Sequence, residues 1–142
     1  MKRVRDVLAE KGSAIWSISP EDSVFDAVKL MAEKRIGVLM VLENGELCGV
    51  ISERDYARKV VLLDRGSKKT TVREIMTERV VFIESAQPIE DCMALMTENN
   101  FRHLPVMDDG KLVGVLSMTD LVRALLADQQ YAISQLERYI NQ

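Results

Sequence analysis

The chain has 142 residues, 47% hydrophobic and 29% charged, enough for a domain-sized core. A folded chain of this length buries about 68–70% of the surface its unfolded form exposes, so no disulfide or metal staple is required. Nineteen Lys and Arg against 22 Asp and Glu give a net charge of -3 with no basic block, which argues against a nonspecific nucleic-acid binder. Cys48 and Cys92 lie far apart and His103 is the one histidine, so there is no Cys-x-x-Cys pair and no zinc-ligand spacing. The longest apolar run, Val38 to Leu42, is too short to span a bilayer, and a cytoplasmic protein that makes no membrane contact is expected.

In chain order, a lead-in Val4-Arg5-Asp6-Val7-Leu8 precedes a short β-branched segment, Ile15 to Ile18. Ser19-Pro20-Glu21-Asp22 then opens an amphipathic helix with Val24, Ala27, Val28 and Met31 at helical spacing. Two β-rich runs follow, Val38 to Leu42 and Leu47 to Ser52, joined by the turn Glu43-Asn44-Gly45-Glu46, and a last helix begins near Glu53. The polar stretch Asp64 to Thr71 reads as a linker. The same order then returns: lead-in Val72-Arg73-Glu74-Ile75-Met76, strand Val80 to Ile83, helix from Pro88 with Ile89, Cys92, Met93 and Met96, strands His103 to Met107 and Leu112 to Ser117, helix from Met118. Both cysteines read as small core residues.

This is an internal repeat. At a constant offset of 65 residues, Ile18 matches Ile83, Asp26 matches Asp91, Met31 matches Met96, Leu39 matches Leu104, Gly49 matches Gly114, Ser52 matches Ser117 and Asp55 matches Asp120. Each unit reads as strand, helix, strand, strand, helix, whose small sheet cannot bury its apolar face alone, so the fold class is α+β with two packed βαββα repeats. The expected organisation is a first repeat over 1–63, a linker over 64–71, a second repeat over 72–126 and a helical extension over 127–142. In that extension Tyr131, Ile133, Leu136, Tyr139 and Ile140 fit one helix side, which either faces a partner or folds onto its own repeat.

Chemistry concentrates where the last strand of each repeat meets the last helix, in Gly49-Val50-Ile51-Ser52-Glu53-Arg54-Asp55 and Gly114-Val115-Leu116-Ser117-Met118-Thr119-Asp120. A hydroxyl and free N–H groups at a helix N-terminus suit a phosphate, a carboxylate three residues on accepts both hydrogens of a ribose diol, and the glycine allows a ligand or backbone to come close. Ser-x-x-Asp is equally a helix cap. Arg102 and His103 place a cation and an imidazole on a strand whose counterpart in the first repeat is Gly37-Val38. They suit a phosphate; an ion pair and a structural histidine are the other reading. Arg54 reaches either an anion or its own neighbours Glu53 and Asp55.

Those motifs, with Arg102-His103-Leu104-Pro105-Val106, the lead-in Val72 to Thr77 and the Ser52 to Val60 run, resemble a CBS-domain pair, or Bateman module, of the stand-alone single-pair kind. The resemblance implies two repeats related by a pseudo-twofold axis with adenosyl ligands in the clefts between them. It implies that Asp55 and Asp120 hold ribose hydroxyls, that Ser52, Arg54, Ser117 and Thr119 lie near ribose or phosphate, and that Arg102 and His103 meet phosphate. Backbone around Trp16 to Ile18 and Val81 to Ile83 would receive the base. The loss of both polar side chains at Gly37-Val38 points to one good site, built around Asp120.

The function so implied is regulatory and non-enzymatic: an adenine nucleotide, AMP first and ADP, ATP, NAD(H) or S-adenosylmethionine otherwise, changes affinity for a separate protein partner. No catalytic cofactor or metal site is expected, since the sequence has no P-loop, no Gly-x-Gly-x-x-Gly and no trustworthy Ser-His-Asp spacing. Homodimerisation through helices is implied by the same resemblance. The alternative is a ligand-free dimerising scaffold.

Overall fold

The computed structural model describes residues 2–12 and 14–141. Contacts divide the chain into two units: Met1–Ser13 with Phe82–Asp108 and Val113–Gln142, and Ala14–Val81 with Asp109–Leu112. This partition differs from the repeat boundaries, because each lead-in joins the body of the other repeat.

In the Ala14–Val81 unit, β1 (Ser17–Ile18) pairs in parallel with β2 (Val38–Glu43), which pairs antiparallel with β3 (Glu46–Ser52). The crossover from β1 to β2 is α2 (Val24–Lys34). Ser23 caps it by accepting the Asp26 N–H at 3.1 Å, and Arg35 ends it in the left-handed region at φ 56°. Its stripe of Val24, Ala27 and Met31 is buried with Ile18, Leu39, Val41 and Ile51. The β2–β3 turn is only Asn44-Gly45, both with positive φ, the conformation of a two-residue hairpin loop, so the strands run one residue further than expected on each side. After β3 comes α3 (Glu53–Tyr56), which widens into a π-helical turn over Ala57–Val61.

The polar stretch after that turn is tied down. Val24 N–H donates to the Thr70 carbonyl at 2.8 Å, Phe25 N–H to Ser67 at 3.0 Å, and the buried Thr70 hydroxyl to Gly66 at 2.8 Å. It leads into α4 (Val72–Ile75), which buries Val72 and Ile75 in the same core.

In the other unit, apart from the hairpin tip Asp109–Leu112, β4 (His103–Asp108) and β5 (Lys111–Ser117) form a two-stranded sheet, again joined by a positive-φ pair, Asp109-Gly110. The expected Val80–Ile83 strand contracts to one parallel bridge, Ile83 to Val106. The helix α5 (Ile89–Asn99) starts on Pro88 and buries Ile89, Cys92 and Met96. The lead-in helix α1 (Val4–Lys11) buries Val4 and Val7, and its start is held by Val4 N–H to Gln87 and Arg5 N–H to Ser85, both at 2.9 Å.

A single helix, α6 (Met118–Ile140), absorbs the expected extension. Leu121 and Ala124 are buried, whereas Tyr131, Ile133, Leu136, Tyr139 and Ile140 are all exposed, so the tail does not fold back onto its repeat. No helix among the described residues is long and apolar enough to cross a membrane.

Candidate functional site

The N-terminus of α6 is built by Ser117 and Asp120. Ser117 Oγ accepts the Asp120 N–H at 3.1 Å while Asp120 Oδ2 accepts the Ser117 N–H at 2.8 Å, a reciprocal capping box. The capping alternative is therefore real, but it leaves the carboxylate with capacity for more. Lys11, the last residue of α1, donates to Asp120 Oδ2 at 2.7 Å and to the Val115 carbonyl at 2.7 Å. Burial by itself raises the Asp120 carboxyl, but the Lys11 and Ser117 hydrogen bonds outweigh it and hold the group below its ordinary range, as an anion. Beside it lies a concavity of about 220 Å³ lined by Val7, Glu10, Lys11, Asp120, Arg123 and Ala124.

The residues read as phosphate contacts gather at the same end. Met118 N–H donates to the Arg102 carbonyl at 2.8 Å, fixing the start of β4 against the start of α6. Arg102 is exposed and, among the described residues, forms no ion pair. His103 is half-buried, and its imidazole is held below its ordinary value first by burial, then by Lys11 and Arg102, with Asp120 pulling the other way. Thr119 is exposed on the first turn. Ile83 is buried and its backbone is used by β4, donating to Pro105 at 3.0 Å and accepting from Met107 at 2.8 Å. Val81, half-buried, belongs to the other unit.

The matching junction in the first repeat gives its aspartate one more side-chain partner. Asp55 and Ser52 form the same capping box at 3.0 and 3.1 Å, and the Ser52 hydroxyl also lies 3.0 Å from Asp55 Oδ2. Thr77 Oγ1 donates to Asp55 Oδ1 at 3.4 Å, and Lys59 sits 3.1 Å from the same oxygen while donating to the Ile75 carbonyl at 3.0 Å. Asp55 is buried. Arg54 is exposed and, among the described residues, pairs with neither Glu53 nor Asp55. Trp16 is half exposed with the Lys34 ammonium 4.3 Å from its ring centroid, and Ile18 is buried in the β1–β2 pairing.

Two lysines absent from the expected site thus sit on its two aspartates. Lys59 follows Asp55 by one helical turn, a spacing visible in sequence. Lys11 precedes Asp120 by 109 positions and carries no such signal. The motif glycines also have a different reason from close ligand approach. A Cβ on Gly49 would lie 2.9 Å from Met76 Sδ and from the Thr77 carbonyl, and one on Gly114 would lie 2.7 Å from Leu8 Cδ2. Met76 and Leu8 are the same position of the two lead-ins, so each glycine makes room for a lead-in helix.

Neither cysteine is placed for chemistry: Cys92 is buried, which pushes its thiol up to about 11, and Cys48 is half-buried. Among the described residues no group of three His, Cys, Asp or Glu side chains could hold a metal ion.

Comparison with known proteins identifies the family. The family model described as CBS domain matches residues 4–62 and 72–127. The Arabidopsis thaliana protein CBSX3, a mitochondrial CBS domain-containing protein, is 37% identical over 96% of this chain and 71% of its own length. A protein with CBS domains from Burkholderia ambifaria MC40-6 is 50% identical with a TM-score of 0.85, covering 90% of this chain and 96% of that one. The CBS domain pair of MJ0100, solved with 5'-methylthioadenosine and S-adenosyl-L-methionine, is 25% identical with a TM-score of 0.78, covering 90% and 98%. Some curated relatives are much longer, the chain spanning 22% to 36% of their length, whereas it spans 84% of the Bacillus subtilis protein YhcV at 30% identity. The family is a regulatory one. With both repeats matched in order and nearly the whole chain covered, this chain belongs to the CBS-domain family and carries one pair of CBS repeats.

Proposed function

We propose that the chain is a non-enzymatic regulatory module that binds an adenine nucleotide at the Asp120 end of α6 and so changes its affinity for a separate protein. The observation that carries this reading is the set of polar groups at that end: an ionised carboxylate beside a concavity of about 220 Å³, an exposed Arg102 with no ion pair among the described residues, and a half-buried His103. Asp120 accepts the ribose diol, Ser117 and Thr119 lie near ribose or phosphate, and Arg102 and His103 meet the phosphate. The base rests on backbone and apolar groups around Ile83, with Trp16 and Ile18 as the counterparts for a weaker site at Ser52, Arg54 and Asp55. AMP is the first candidate; ADP, ATP, NAD(H) and S-adenosylmethionine share the adenosyl part. The adenosyl ligands of MJ0100 support the class. The exposed apolar residues of α6 support homodimerisation.

Thermal unfolding against AMP, ADP, ATP, NADH, S-adenosylmethionine and GMP tests it, with wild type and Asp120→Ala. A ligand at a hundred times its dissociation constant adds about 2.7 kcal/mol, or about 5–10 °C in Tm for a chain of this size. A shift for adenosyl compounds that disappears in Asp120→Ala supports the reading. Flat curves for every compound overturn it in favour of the ligand-free dimerising scaffold.

A further inference from the structure

The strongest contact at the candidate site is one the chain makes with itself. Lys11 Nζ lies 2.7 Å from Asp120 Oδ2, the oxygen that also takes the Ser117 N–H, and its second hydrogen bond goes to the Val115 carbonyl. Lys11 ends α1, and Gly12 stops the helix at φ 92°. The body of α1 is anchored elsewhere, by buried Val4 and Val7 and by Leu8 against Gly114, whereas Ala9, Glu10 and Lys11 are exposed. Only the last turn needs to move for the ammonium to leave.

We infer that Lys11 is a built-in competitor for the Asp120 carboxylate, so that a ligand diol gains this site by displacing the last turn of α1. A carboxylate gripping two hydroxyls needs both oxygens, and one of them is held by the ammonium. The ribose hydroxyls are neutral, so they win only with the rest of the ligand, its phosphate or charged group on Arg102 and its base elsewhere, adding binding energy. Occupancy is thereby read out as release of residues 9–12, a segment remote in sequence from α6. The Asp55 site has no such readout, because Lys59 belongs to the same helical segment as its aspartate. The inference rests on the nucleotide reading of Asp120 and adds the coupling.

Isothermal titration of wild type, Lys11→Met and Lys11→Arg with AMP, ATP and S-adenosylmethionine tests it, with amide hydrogen exchange over residues 8–12. An exposed ion pair of this strength predicts binding about fivefold tighter in Lys11→Met and within about twofold of wild type in Lys11→Arg, which keeps the competing charge. Exchange at the Gly12 N–H, which donates to Leu8 at 2.9 Å, is expected to quicken when wild type is saturated. Binding to Lys11→Met alone supports the inference as well. Equal binding overturns the competition alone, and weaker binding makes Lys11 a direct phosphate contact instead. No binding to any of the three proteins overturns the nucleotide reading and the competition with it.

Discussion

The two repeats carry the same Ser-x-x-Asp junction, cap their last helices with the same reciprocal hydrogen bonds, and yet present two different aspartates. Asp55 is buried under Thr77 and Lys59, while Asp120 borders a concavity and meets a lysine from a distant helix. One residue marks the difference. Lys59 corresponds at the repeat offset to Ala124, which lines the concavity together with Arg123, and among the described residues Asp120 forms its ion pair with Lys11 rather than with a residue of its own helix. The turn carrying Lys59 is π-helical and the one carrying Ala124 is not. The motif sets the cap; the side chain one turn later decides whether the carboxylate is closed off locally or left to a remote partner.

The largest effect that would break this comparison is a difference in stability between the two aspartate truncations. Asp55→Ala removes the cap and leaves the Thr77 hydroxyl without its acceptor, while Lys59 is exposed enough to hydrate, and about 2–3 kcal/mol is expected in urea denaturation. Asp120→Ala loses the same cap and frees a lysine that can also hydrate, but no Thr77 counterpart is left behind, so about 1–2 kcal/mol is expected. Equal costs would mean that the two junctions are energetically alike, whatever their geometry.

The glycines sharpen it next. In Gly49→Ala the new methyl meets the Thr77 carbonyl, which is locked to Val50 by hydrogen bonds of 2.8 and 3.0 Å in both directions. Backbone fixed in that way cannot give, and about 2–3 kcal/mol is expected. In Gly114→Ala the methyl meets the tip of the Leu8 side chain, which can change rotamer, so about 1 kcal/mol is expected. The reverse ranking, read from urea midpoints, would place the tighter lead-in on the second repeat.

These positions also mark where sequence reading reaches its limit. The hairpins are legible to within one residue at each side of the turn, where Asn44-Gly45 and Asp109-Gly110 supply the two positive-φ residues that a tight loop requires. The repeat offset likewise set the helices and the pairing of Ser52 with Ser117 and Asp55 with Asp120. Self-similarity, however, reports what the repeats share and not which segment packs on which body. It could not reveal that Leu8 sits against Gly114 and Met76 against Gly49, which turns the motif glycine from a ligand feature into a packing feature. The β-branched run Val80 to Ile83 resembled a strand, but only Ile83 finds a partner, and Phe82 stays exposed. Lys11 was out of reach because a contact across 109 positions leaves no periodic trace.

The smallest expected effect separates the repeats by pH. His103 occupies the position of Val38, so only the second repeat titrates near neutrality. Burial, aided by Lys11 and against the pull of Asp120, holds the folded imidazole below the value of about 6.5 that it takes when unfolded. As pH falls, the unfolded chain therefore binds the proton first. The stability that depends on neutral His103 is complete above about pH 6.5 and is lost as pH drops from there through the lower folded value. Tm measured from pH 7.5 down to 5.5 should decline in wild type and flatten in His103→Val, which copies the first repeat. Lys11→Met should fall between them, because removing the ammonium lets the folded imidazole rise toward its unfolded value and narrows the window. Asp120 cannot mimic this signature: its carboxyl is depressed by Lys11 and Ser117 against burial, so its contribution holds above about pH 3.9 and disappears only in more acid solution. A decline between pH 7.5 and 5.5 that survives in His103→Val would have to arise outside the histidine, and the two repeats would then differ in geometry alone.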